Sequence, residues 1–126
     1  MDALAHLVLC LALTQPVGVE NWVWETDYQT AYKRAEPTKK TIVVLIGAKW
    51  CHACPAMKRA AAAVLNKHPE VVPLYLDYDA NEQLCRTIKV STVVPELIVY
   101  DWVHPAERLI GQFKTEQLAK LLEKKP

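Results

Sequence analysis

Residues Thr41 to Gly47 (TIVVLIG) form an apolar run with no polar alternation, between Lys39-Lys40 and Lys49. A strand with one wet face alternates polar and apolar side chains, so this unbroken run predicts a strand covered on both faces. Thr41–Ile46 is therefore read as a central strand of an α/β sheet. Ahead of it, Asn21–Glu25 is a short aromatic strand candidate. Tyr28, Ala31, Tyr32 and Ala35 then recur at helical spacing behind a cap at Thr26 or Asp27, and Pro37 ends that helix. Behind the central strand, Met57, Ala60, Ala61, Val64 and Leu65 mark one side of a helix over Ala56–Lys67. Val71–Leu76 is the next strand, with Pro73 better suited to an end or an edge. A short helix over Glu82–Ile88, a strand over Glu96–Tyr100 and a hairpin to Glu107–Gly111 follow. Thr115 is expected to cap a last helix carrying Leu118, Leu121 and Leu122. The order βαβαβαββα predicts a mixed sheet with helices on both faces.

The length of 126 residues allows one domain, and 52% hydrophobic residues are enough to give it a core. With a net charge of +1 and no basic stripe, nothing argues for nucleic acid and no nucleic-acid partner is expected. Ala3–Leu13 is apolar but too short for the ~20 residues of a membrane-spanning helix, so no stable span is expected. Its length suits the core of a secretory signal. Residues 1–19 are read as a signal peptide or N-terminal hydrophobic segment and 20–126 as the domain. The expected location is periplasmic or secreted, and cytoplasmic if the segment is not a signal peptide.

The candidate chemistry lies in Lys49-Trp50-Cys51-His52-Ala53-Cys54-Pro55, where the central strand gives way to a helix. Two cysteines there sit at a helix N-terminus, where unpaired N–H groups and the macrodipole favour a thiolate. A second thiol one turn on can attack a mixed disulfide and release its product. Metal binding is the rival reading. A structural zinc site needs four ligands, and this chain has one CxxC half-site with His52, plus Cys85 or His104 at a distance. Copper binding or delivery stays open, because thiolates suit Cu(I). Covalent haem is excluded, since Pro55 stands where CxxCH needs His. Cys85 reads as a small core residue, and Trp24, Tyr75 and Tyr78 as packing.

Ala48–Cys54 after a buried strand, Val94-Pro95 ahead of the last two strands, and Gly111 together resemble the thioredoxin superfamily over nearly all of residues 21–125. The resemblance implies the thioredoxin fold, a central mixed β-sheet flanked by helices on both faces. It also implies a monomeric thiol–disulfide oxidoreductase that acts on protein thiols and disulfides with a redox partner protein and no cofactor. Cys51 would attack and Cys54 resolve. A cis Pro95 would face the pair, Val94 would pair with the substrate backbone, and Trp50 and His52 would shape the contact. Two departures stand out. The strand position six before Cys51, acidic in thioredoxins, is Leu45, and Glu96 follows the proline where Thr is usual. Glu96 is therefore expected near the sulfurs as a proton acceptor or pKa-raising group, with Lys49 as a second tuning residue. A protonated His52 would favour the thiolate, yet the helix N-terminus opposes that protonation, so the redox direction stays open. The missing acid and the export-type segment point to an extracytoplasmic reductase or isomerase.

Overall fold

The computed structural model describes residues 23–123; the segment at 1–19 and the start of the 21–25 strand lie outside them. Strand β1 (Ile42–Gly47) is the predicted central strand, buried along its whole length. It pairs in parallel with β2 (Val72–Asp77) and antiparallel with β3 (Glu96–Tyr100). Strand β4 (Glu107–Ile110) adds antiparallel to β3, giving the order β2-β1-β3-β4. Parallel neighbours need a crossover, and the helix that supplies it carries Cys54 at its head. Helix α1 (Tyr28–Ala35) precedes β1, and α2 (Cys54–Leu65) is that crossover. Helices α3 (Glu82–Thr87) and α4 (Thr115–Glu123) complete the domain. No described helix is long and apolar enough to cross a membrane.

Alternation along β1 divides the interior in two. Val43 and Leu45 join Leu97 and Val99 under Ala61, Val64 and Leu65 of α2 and the leucines of α4. Ile42, Val44 and Ile46 face the other way, with Leu74, Leu76 and Ile98 under Ala31 and Ala35 of α1 and Cys85 of α3. Each such fully buried aliphatic side chain contributes roughly 1.5–3 kcal/mol, so both layers stabilise the strand between them. Cys85 is a core residue, 1% exposed, and burial pushes its thiol above the ordinary value, helped by the charges of Glu96 and Asp77.

Three local expectations change, while Pro73 lies near the end of an edge strand as expected. Of the Asn21–Glu25 strand, the described part is a single bridge from Glu25 to Leu74. Asp27 turns the chain into α1 at once, its carboxylate accepting the Thr30 N–H at 2.9 Å. Pro73 sits where its carbonyl points outward to the Glu25 N–H (2.9 Å), so its missing donor takes no bond from β1. Helix α2 begins at Cys54 instead of Ala56, because Pro55 occupies the second position, where the absent N–H has no intrahelical partner to lose. Thr115 is the first residue of α4, not its cap. Gln117 reaches back to accept the Lys114 N–H at 2.8 Å, one half of a capping box.

The Asp27 cap makes stability depend on pH. The Thr30 backbone N–H, the Thr30 hydroxyl and the Lys33 charge hold its carboxyl below the usual 3.8. A lowered folded-state value stabilises the fold above the unfolded-state value, and the benefit disappears as pH falls through the folded one. Asp27→Ala is expected to melt below the parent at neutral pH, with the gap narrowing below pH 3.8. A gap that persists unchanged through acid would show that the cap is not ionic.

Candidate active site

Strand β1 ends at Gly47, and a tight loop carries the chain to Cys54 at the head of α2. The Cys51 N–H donates to Ala48 O (3.1 Å) and the Cys54 N–H to Cys51 O (3.4 Å). These turns bring the cysteine Cα atoms to 5.5 Å, and the two sulfurs form a disulfide. That separation lies inside the roughly 4.4–6.8 Å range a disulfide needs. Ala53 precedes α2 without a capping side chain, so no side-chain acceptor competes for the first-turn N–H groups. Cys54 is 2% exposed whereas Cys51 is half-buried, so the two sulfurs differ in access.

The second wall comes from far along the chain. The Val94–Pro95 peptide bond is cis, and Val94 O lies 3.9 Å from Cys51 Sγ. Pro95 O accepts the Gly111 N–H at 2.7 Å, which ties the wall to the end of β4. Gly111 has φ of +83°, a left-handed conformation that glycine adopts without a Cβ penalty. Trp50 is 60% exposed, and its indole N–H donates to Asp79 Oδ2 at 2.8 Å. Lys49 and His52 are exposed on the same loop. Asp79 was not singled out by the sequence, because nothing local marks a partner 29 positions from Trp50.

Glu96 is placed differently from expectation. It is fully buried, but on the α1/α3 side of the sheet with Ile98, because strand alternation gives the α2 side to Leu97. Its carboxylate accepts the Ser91 N–H (2.9 Å) and an Arg108 N–H (2.6 Å). Arg108 also donates to Ile88 O and Lys89 O. Glu96 thus anchors the segment leading to Val94 instead of lying beside the sulfurs. Leu45 is buried on the α2 side, directly opposite Tyr75 of β2.

Among the described residues, no three His, Cys, Asp or Glu side chains gather as a metal site would require. A cavity of about 270 Å³ opens on the α1/α3 side, lined by Tyr28, Tyr32, Ile98 and Tyr100 among others, away from the disulfide.

A disulfide at a strand-to-helix junction, faced by a cis Val94–Pro95 bond, is the arrangement the motifs implied, and the profile of the Thioredoxin family matches residues 23–124. The chain belongs to the thioredoxin family. Thioredoxin H3 of Arabidopsis thaliana is 30% identical over 95 residues, which is 75% of this chain and 80% of that protein. Among solved structures, the thioredoxin Deadhead of Drosophila melanogaster superposes with a TM-score of 0.68 at 23% identity, covering 81% of this chain and 97% of the other. The thioredoxin NaTrxh of Nicotiana alata gives 0.67 at 24%, covering 79% and 85%. These structures share the fold, a mixed four-stranded sheet flanked by helices. As a thioredoxin-family protein, the chain is a thiol–disulfide oxidoreductase, and its Cys51–Cys54 disulfide is the redox centre.

Proposed function

We propose that this oxidoreductase exchanges its dithiol with disulfides of protein substrates, with Cys51 attacking and Cys54 resolving. The 3.9 Å approach of Val94 O to Cys51 Sγ carries the reading. An extended chain paired with the Val94 backbone brings its own sulfur to the more accessible of the two cysteines. The Cys51 thiolate attacks a substrate sulfur; a Cys51–substrate S–S bond forms, and the other substrate sulfur leaves and takes a proton. Deprotonated Cys54 then attacks Cys51 Sγ, the Cys51–Cys54 bond forms, and the second substrate sulfur departs. Two electrons pass from the dithiol to the substrate. Trp50 and His52, exposed beside Cys51, contact the bound chain.

The export-type run Ala3–Leu13 supports action outside the cytoplasm. The absence of a buried acid at Leu45 supports a reductase or isomerase role distinct from that of a general electron carrier. Two measurements on the reduced chain test the proposal, reduction of insulin disulfides and the reduction potential of the Cys51–Cys54 pair. Reduction of insulin is expected, with a potential below the glutathione poise of about −220 to −260 mV. A value near the oxidising end would make the protein a disulfide donor instead. A fully reduced dithiol that leaves insulin intact would overturn protein substrates altogether.

A further inference from the structure

We infer that Lys58 and Tyr75 form a positioning pair beneath the dithiol that favours the thiolate of Cys54 during resolution. The inference rests on the exchange mechanism proposed above and assigns a role to two residues which that mechanism leaves unused.

Tyr75 and Leu45 are opposite each other in β2 and β1, on the side covered by α2. Tyr75 leans toward the end of β1 from which the cysteine loop springs. A Cβ at Gly47 would collide with its hydroxyl, so the hydroxyl lies over Gly47 and only glycine leaves that space. Lys58 approaches from α2, with its ammonium 4.2 Å from the centre of the Tyr75 ring. Lys58 follows Cys54 by four residues, so the two share a helix face. Helical side chains lean toward the N-terminus, which carries the ammonium toward the turn that holds Cys54. Trp24 packs edge-on against the same ring, with centroids 6.0 Å apart. Burial and the Asp77 charge raise the Tyr75 hydroxyl above its usual 10.0, so it remains a proton donor at neutral pH. A cation on the Cys54 face of α2 and an O–H donor over Gly47 therefore lie on the side of the sheet that α2 covers, where the β1 residue paired with Tyr75 is Leu45.

Before attacking Cys51 Sγ, the Cys54 thiol gives up its proton to water or to the departing substrate sulfur. The Lys58 charge and the Tyr75 hydroxyl stabilise the anion left behind; neither residue accepts the proton. The other charged groups on the flanking segments are Lys49 and His52 in the loop, Arg59 on α2, Asp77 at the end of β2 and Asp79 just after it; of these, the Asp77 charge acts on Tyr75. The Thr92–Pro95 wall brings no charge, α4 meets α2 through its leucines, and Glu96 and Cys85 lie on the other side of the sheet.

The test is a titration of the reduced full chain by NMR, reading the Cβ shifts of Cys51 and Cys54. Tyr75→Phe keeps the ring and removes the hydroxyl; Lys58→Met keeps most of the stem and removes the charge. A charge within ~4–6 Å moves a partner by 1–3 pH units, and less where solvent screens it. Each variant is expected to raise the proton affinity of Cys54 by about threefold or more, an upward move of ~0.5 pH units. Lys58→Arg is expected to titrate like the parent. A Cys54 midpoint unmoved in both variants would overturn the inference, even if they melt earlier, because that would be a packing role only. The titration uses no substrate. Failure of the parent to reduce insulin would sink the exchange proposal and leave this result to be read on its own.

Discussion

Cys51→Ser is expected to lower insulin reduction by about a thousandfold or more, because it removes the only accessible nucleophile of the pair. Cys54→Ser is expected to behave differently. It retains the attacking thiol, so it forms the mixed disulfide and cannot release it. Incubated with a disulfide-bearing protein, it should accumulate a covalent adduct that runs as a larger band on a non-reducing gel and vanishes with dithiothreitol. The asymmetry follows from exposure, since Cys54 is 2% exposed and Cys51 is half-buried. The opposite pattern, adduct with Cys51→Ser and none with Cys54→Ser, would reverse the roles of the two sulfurs.

Much of this site was legible in the sequence because its parts are local. The unbroken Thr41–Gly47 run, the CxxC behind it and the Val94-Pro95 step each announce themselves within a few residues, and the structure brings them together as expected. Glu96 departs from expectation because nearness to Pro95 along the chain does not decide which side of the sheet a side chain takes. Alternation sends its side chain through the sheet, and its partner Arg108 lies 12 positions away. Tyr75 in the sequence looks like a packing residue, and no local pattern reveals that its ring lies under Lys58 or its hydroxyl over Gly47. Those relations arise from strand register and from the angle at which α2 crosses the sheet. Among the described residues, the N-terminal aromatic strand is shorter than expected for a similar reason. Composition shows extended backbone, but the Asp27 cap decides where extension stops.

Arg108→Met carries the second large expected effect. Glu96 has no solvent contact, and the Arg108 side chain beside it is 30% exposed. Removing the guanidinium leaves a buried carboxylate with the Ser91 N–H as its remaining partner. Breaking such a pair from one side costs about 3 kcal/mol, at the low end for buried pairs because Arg108 is partly wet. A melting temperature lower by on the order of 10 °C or more should follow in a domain of this size. Insulin reduction should fall as well, since Arg108 also holds Ile88 O and Lys89 O in the segment that leads to Val94. The double variant Glu96→Gln, Arg108→Met is expected to recover much of the loss, because no unpaired charge remains inside. If the single variant melts within a few degrees of the parent, the pair is not what secures this segment.

The division of the interior has a consequence for sulfur chemistry within the chain itself. Cys85 belongs to the layer under α1 and α3, while Cys54 heads the helix on the far side of the sheet. Disulfide shuffling needs an attacking thiolate in line with the bond, and the Cys85 thiol is sequestered as well as hard to ionise. The folded sheet is therefore an insulator between a reactive pair and an inert neighbour. Among the described cysteines, wrong pairings open only when the domain itself comes apart.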